Sequence, residues 1–163
     1  MKKLKFILSN MEELIASAFL IITIILVVVN VFLRYVMNTG LVWSEEVATG
    51  CFVWAVFLGA AAGYKRRIHI GVDIVVNLLP QSIQAMVNIV VDLLLIAING
   101  QITYLCVLYL QTSYKKPTPV LGISSAYIST AILVSFVLMT IYSLYFFSKD
   151  IKQILNNRSK EVV

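Results

Sequence analysis

Charged residues are scarce in this sequence: they make up 13% of its 163 residues, whereas a soluble domain has about 25%. Histidine occurs once, at His69, and cysteine twice, at Cys51 and Cys106, without a C-x-x-C pair. A single histidine excludes a haem held by two histidines of this chain. Because the two cysteines are far apart in sequence, we interpret them as small apolar side chains that fill space rather than as a redox centre. Whether they form a disulfide stays open. With no P-loop or zinc-ligand spacing either, we expect no catalytic, cofactor or metal site in this chain.

The sequence also lacks long polar segments, and most of it consists of long apolar runs. Hydrophobic residues make up 60% of the chain, too many for a protein this short to bury in one core. A membrane-spanning helix needs about 20 such residues, and the alternating stretches typical of barrel strands are absent. The sequence predicts an all-α integral membrane protein, a single domain over residues 1–163 with four transmembrane helices near 14–33, 47–64, 84–110 and 123–147.

Basic residues are distributed unevenly between the two ends of these spans. Ten of the thirteen lie before the first span, between the second and third, or after the fourth, and three lie in the other two connections. Cytoplasmic loops hold the excess of Lys and Arg, so both termini are predicted to be cytoplasmic. This topology, together with anionic lipid, explains the net charge of +5 and predicts no nucleic-acid partner.

The connection between the second and third spans is predicted to contain a short amphipathic helix over residues 68–79. Its apolar residues recur at helical spacing on one stripe, while His69 and Asp73 lie one turn apart on a neighbouring, more polar stripe. This pattern is typical of a helix lying in the membrane interface. We interpret His69 as a hydrogen-bonding residue or a partner of Asp73 rather than a metal ligand.

Polar residues inside the spans are where function is expected, because each is costly in lipid. In the third span Asn88, Asp92 and Asn99 share one helical face, within about 60° of one another. The first span has a comparable sector with Thr23 and Asn30. Asp92 has two interpretations, an ion or proton site and a buried acid hydrogen-bonded to neighbouring helices. We favour the second, because a carrier usually has several intramembrane charges.

The second span has small residues at every fourth position, namely Cys51, Ala55, Gly59 and Gly63. Such a ridge lets two helix backbones approach closely. We therefore expect a helix to pack on it, so that leucine at Gly59 or Gly63 disturbs assembly rather than membrane insertion.

Three polar residues, Ser44, Glu45 and Glu46, stand at the outer start of the second span, close in sequence to Arg34 at the outer end of the first. Two roles stay open for them. They can cap a helix and complement its dipole, or they can pair with Arg34 across the short loop and offer an acidic contact to a partner. Arg34 itself suits the negative end of the first helix.

The order and spacing of these residues resemble the small membrane subunit, the DctQ-like small permease, of tripartite ATP-independent periplasmic (TRAP) transporters. The resemblance is clearest from the first span to Pro80. It depends on the segments Asn30-x-x-x-Arg34-Tyr35, Trp43-Ser44-Glu45-Glu46, Phe57-Leu58-Gly59-Ala60-Ala61, Arg67-x-His69-Ile70-x-x-Asp73 and Leu79-Pro80.

The resemblance implies a partner and a transport cycle rather than an enzyme. In this family a large multi-span membrane subunit carries substrate and sodium, and a periplasmic binding protein delivers an organic acid such as sialic acid or a C4-dicarboxylate. The small subunit braces the scaffold in the bacterial inner membrane, with no cofactor of its own and sodium on the partner subunit. The residues expected to contact the partner or to support the structure are Arg34, Trp43, Glu45, Glu46, Gly59, Gly63, His69, Asp73, Asn88, Asp92 and Asn99.

Two other functions stay open on the sequence. One is a free-standing small four-helix exporter that uses Asp92, and the other is a membrane thiol or quinone redox protein. The exporter would depend on a single intramembrane acid, and the redox protein would need a paired-cysteine motif or several histidines. A stable large membrane partner distinguishes a transporter subunit from both.

Overall fold

The structure, a computed structural model, describes residues 10–66 and 81–161, which form four α-helices. We number them α1 (Met11–Val36), α2 (Val42–Lys65), α3 (Gln81–Ser113) and α4 (Ala126–Glu161). Each contains a stretch long and apolar enough to cross a membrane, which confirms the predicted all-helical class with four membrane-spanning helices. The predicted amphipathic helix at 68–79, with His69 and Asp73, lies outside the described residues.

The helices extend beyond the apolar runs that predict them, because a helix can continue through polar residues once it has left the hydrocarbon. The apolar run of α2 starts at residue 47, but the helix begins at Val42, so Ser44 and Glu45 lie inside its first turn. Its N-cap is Leu41, which makes no side-chain cap. Of the two roles left open for the polar residues, helix capping is therefore not found, although Glu45 still complements the helix dipole.

The four helices pack in a row, in the order α1, α2, α4, α3. α2 and α4 run parallel, since Trp54 of α2 lies beside Tyr127 of α4, and Tyr64, further along α2, lies beside Ser143, further along α4. α1 and α3 run the opposite way at the two edges of this layer. We call the side where α1 begins and α2 ends the Lys65 side, and the other the Arg34 side.

Small residues form the interior of the layer. In α4 every fourth residue is buried, namely Ala131, Ser135, Met139 and Ser143, and in α2 Ala61 is completely buried. All of these except Met139 are small, and small side chains let helices approach closely in a membrane. Large apolar residues lie mostly on the outside, as suits a protein whose solvent is lipid.

Candidate functional site

Glu12, Lys65 and Tyr142 join three helices on the Lys65 side. The Glu12 carboxylate of α1 accepts a hydrogen bond from the Tyr142 hydroxyl of α4 and lies 2.9 Å from the Lys65 ammonium of α2. The ammonium is also 5.6 Å from the centre of the Tyr142 ring, within reach of a cation–π interaction. The side chains of Glu12 and Lys65 are only 14% and 28% exposed. This cluster fixes the ends of α1 and α2 against α4.

A second ion pair lies beside this cluster. The Arg66 guanidinium donates from Nε to Glu13 Oε1 at 2.8 Å, but the two side chains are 57% and 31% exposed. An exposed pair contributes little, because water and salt screen it. The neighbouring acids Glu12 and Glu13 are thus bound to neighbouring cations in different environments.

Asn99 lies at the centre of a polar cluster formed by three helices. Its Nδ2 donates to Ser143 Oγ of α4 at 3.3 Å and to the Tyr64 hydroxyl of α2 at 3.4 Å, and those two hydroxyls are 2.5 Å apart. One turn further, the hydroxyls of Thr103 and Thr140 are 3.3 Å apart. Hydrogen bonds between membrane helices contribute about 0.6 kcal/mol on average, so this cluster is suited to holding α3 in register with α4.

Asp92 and Asn88 continue the same face of α3 towards the Lys65 side. Asp92 is 9% exposed, and Asn88, one turn away, is half-buried. Asp92 lies two turns from Asn99, about 10 Å along the helix. The structure therefore places the single intramembrane acid on the face of α3 that packs on α4, within the layer.

Arg34 and Asn30 connect α1 to the start of α2. The Arg34 guanidinium lies 2.8 Å from the Glu45 carboxylate, so the structure forms the pair considered from the sequence, on an exposed surface. One turn earlier, the buried Asn30 side chain accepts a hydrogen bond from the backbone N–H of Leu41 at 2.8 Å. The loop between the two helices is thus held by an amide and an ion pair.

Glu46 holds a distant loop rather than a helix end. One of its carboxylate oxygens accepts hydrogen bonds from the backbone N–H groups of Val120 and Leu121, at 2.9 and 3.3 Å. The loop turns through Gly122, whose φ of +66° suits a residue without a Cβ. Glu46 therefore ties the connection between α3 and α4 to the start of α2.

The small-residue ridge of α2 has two different parts. Cys51 and Ala55 are buried inside the layer. Gly59 and Gly63, together with one side of Ala55, line a groove of about 540 Å³ between α1 and α2, with Leu20 on its α1 wall. A Cβ added at either glycine would meet no described atom within 4 Å. No helix of the described chain packs on them, and a contact with a partner at Gly59 and Gly63 stays a prediction.

The remaining predicted residues are placed as follows. Trp43 is 44% exposed in the first turn of α2, and tryptophan is enriched near the ends of membrane spans. Cys51 and Cys106 are free thiols, the first buried and the second half-buried. Among the described residues, no three His, Cys, Asp or Glu side chains are grouped so as to hold a metal ion.

Sequence reasoning missed the partners of the polar residues and one exposed amide. Tyr64, Tyr142 and Ser143 complete the two interior clusters, yet aromatic and hydroxyl residues are common in membrane spans and give no separate signal. The amide is Gln101, which lies exposed in the middle of α3. A helical projection of the third span places it almost opposite Asn99, and this signal could have identified it.

The fold and these clusters define a class of protein. It is a multi-pass membrane protein that uses polar groups of its spans to bind its own helices together in an open layer. The family model described as "Tripartite ATP-independent periplasmic transporters, DctQ component" matches residues 23–153. The chain belongs to this family of transporter subunits and is a multi-pass protein of the bacterial inner membrane.

Relatives of known name agree with this assignment. A TRAP transporter small permease protein of Haemophilus influenzae is 31% identical over 153 residues, covering 94% of this chain and 92% of that protein. The sialic acid TRAP transporter small permease protein SiaQ of Vibrio cholerae is 24% identical, covering 85% and 80%. The isethionate TRAP transporter permease protein DctMQ of Oleidesulfovibrio alaskensis is 28% identical, covering 82% of this chain but only 22% of that longer protein.

Proposed function

We propose that this chain is the scaffold subunit of a sodium-coupled TRAP transporter. It works with a large membrane subunit and a periplasmic binding protein to import an organic acid. The observation that supports this function best is the open layer: the four described helices form a row, which has no interior through which a solute could pass. The path for substrate and sodium is then formed by another chain, and this chain supplies a rigid wall beside it.

The substrate class in this proposal is a small organic anion. Relatives are named for sialic acid, C4-dicarboxylate and isethionate transport, so similar small subunits serve chemically different anions. This variety is expected if the substrate binds elsewhere. Sialic acid or a C4-dicarboxylate is the proposed substrate, and sodium is proposed to bind the large subunit.

The proposal includes an orientation in which both termini are cytoplasmic. Ten of the thirteen basic residues lie before α1, at the end of α2 or just after it, or in the last part of α4, and such residues are retained on the cytoplasmic side. A reporter that is active only in the cytoplasm is expected to be active when fused after Val163. An inactive cytoplasmic reporter, together with an active periplasmic one at the same position, would reverse the orientation.

Copurification tests the proposed function. The chain should be coexpressed with the TRAP large subunit encoded by the same genome and extracted in mild detergent. We expect a stable complex with one copy of each. If the chain purifies alone, or only with further copies of itself, the scaffold function is wrong.

A further inference from the structure

Gln101 is a polar side chain exposed at the middle of a membrane span. The apolar part of α3 extends over Val87–Ser113, so Gln101 is about 20 Å from either end. Its side chain is too short to reach the interface from that depth. No hydrogen bond between described residues involves the Gln101 side chain. The hydrocarbon of a bilayer offers an amide nothing to bind.

The position of Gln101 on α3 directs its side chain away from the other described helices. Asp92 and Asn99 are seven residues apart, a spacing that places them on the same face of the helix, and this face packs on α4. Gln101 is rotated by about 160° from Asn99 around the helix axis. α3 is an edge helix, and α4 is its one extensive neighbour among the described helices. Gln101 therefore projects away from the layer, where a further protein segment can reach it.

The surface around Gln101 suits a closely packed helix. Ala97 and Tyr104, one turn to either side, are exposed, and a Cβ added at Gly100 would meet no described atom within 4 Å. Small residues beside a hydrogen-bonding amide are typical of contacts between membrane helices. We call Ala97, Gly100, Gln101 and Tyr104 the Gln101 face.

We propose that the Gln101 face binds a transmembrane helix of the large TRAP subunit, with the Gln101 amide hydrogen-bonded to a polar side chain or free carbonyl of that helix. This inference rests on the proposed function and names the surface through which the scaffold meets its partner. An amide at mid-depth selects a protein neighbour over an acyl chain, because the acyl chain has no donor or acceptor.

The relatives favour the large subunit over a second copy of this chain. In the DctMQ relative, the segment similar to this chain is 22% of one TRAP permease polypeptide. Because both parts belong to one polypeptide, the remainder of that permease is covalently tethered to the segment that resembles this chain. An edge helix with an exposed amide on its outer side is where a row of helices is most simply continued by the helices of that neighbour.

The test uses the coexpressed complex and a matched pair of variants, Gln101→Leu and Gln111→Leu. Gln111 is also an exposed glutamine of α3, but it lies two residues before the end of the helix, where water and headgroups can bind it. We expect Gln101→Leu to weaken the complex about three- to tenfold, the range for one interhelical hydrogen bond, and Gln111→Leu to leave it unchanged. Both isolated variants should melt like the wild type.

Photocrosslinking from the same position identifies the neighbour directly. With Gln101→p-benzoylphenylalanine, we expect a covalent product with the large subunit, and a control at the exposed Val107 on another side of α3 should give much less. A product joining two copies of this chain, or no protein product at all, would overturn the proposal. So would equal copurification of the two leucine variants. Failure of the wild-type chain to copurify would instead refute the proposed function itself.

Discussion

Replacing Glu12 by glutamine is expected to destabilise the protein by about 2 kcal/mol. Removing one member of a buried ion pair costs about 3–5 kcal/mol, because the other charge is left without a partner. The value expected here is smaller, since Lys65 remains 28% exposed and water can solvate it in part. The glutamine keeps the shape of the side chain, so the loss reports the charge. Thermal unfolding of the chain in detergent measures it.

The neighbouring acid provides the control for this experiment. Glu13→Gln makes the same chemical change one residue away, in a pair whose arginine is 57% exposed, and should cost less than about 0.5 kcal/mol. Tyr142→Phe removes only the hydroxyl that donates to Glu12 and should fall between the two. Equal losses from Glu12→Gln and Glu13→Gln would show that the Glu12 cluster does not hold the three helices together.

Leucine at Ala61 is expected to disrupt the layer, whereas leucine at Gly59 is expected to be tolerated by the isolated chain. Ala61 is completely buried, and overpacking a filled interior costs about 1–3 kcal/mol or more. Gly59 faces the open groove between α1 and α2, where an added Cβ meets no described atom within 4 Å. Replacing a glycine in a helix also reduces the backbone freedom of the unfolded chain, which stabilises the folded protein by about 0.5–1 kcal/mol.

The two substitutions place the same side chain in the same helix two residues apart, and they differ in the surroundings of that side chain and in the backbone freedom lost with the glycine. Thermal unfolding in detergent should therefore separate them clearly, with Ala61→Leu melting well below the wild type and Gly59→Leu at or above it. If Gly59→Leu melts as low as Ala61→Leu, the groove is closed in the folded protein and the described packing of α1 on α2 is incorrect.

The four helices and several interior polar positions could be predicted from the sequence, because lipid imposes a simple rule on composition. Apolar runs of sufficient length identify the spans, and polar residues repeated at helical spacing identify the faces that turn inward. Thr23, Asn30 and Asn99 follow this rule, and all three are buried. The ends of the helices are less predictable, since polar residues outside the hydrocarbon can either continue a helix or form a loop.

The partners of polar residues could not be predicted, because they come from distant parts of the chain. Glu46 accepts hydrogen bonds from the backbone N–H groups of Val120 and Leu121. Every residue except proline has such a group, so the sequence does not indicate which ones Glu46 binds. The order of the helices in the layer was equally hidden, so half of the small-residue ridge, Gly59 and Gly63, lies open rather than packed. Periodicity identifies a face but does not say which neighbour covers it.

The proposed scaffold function requires this chain to support transport without binding the coupling ion, and Asp92 is the residue whose substitution tests this requirement. The measurement is ion-driven uptake into liposomes that contain the assembled transporter. Asp92→Asn removes the charge and keeps the shape, so we predict near-normal uptake with an unchanged sodium requirement. Asp92→Leu should perform worse, because a buried polar neighbour left without a partner costs about 1–3 kcal/mol. A transporter that assembles with Asp92→Asn but no longer takes up substrate would contradict the account.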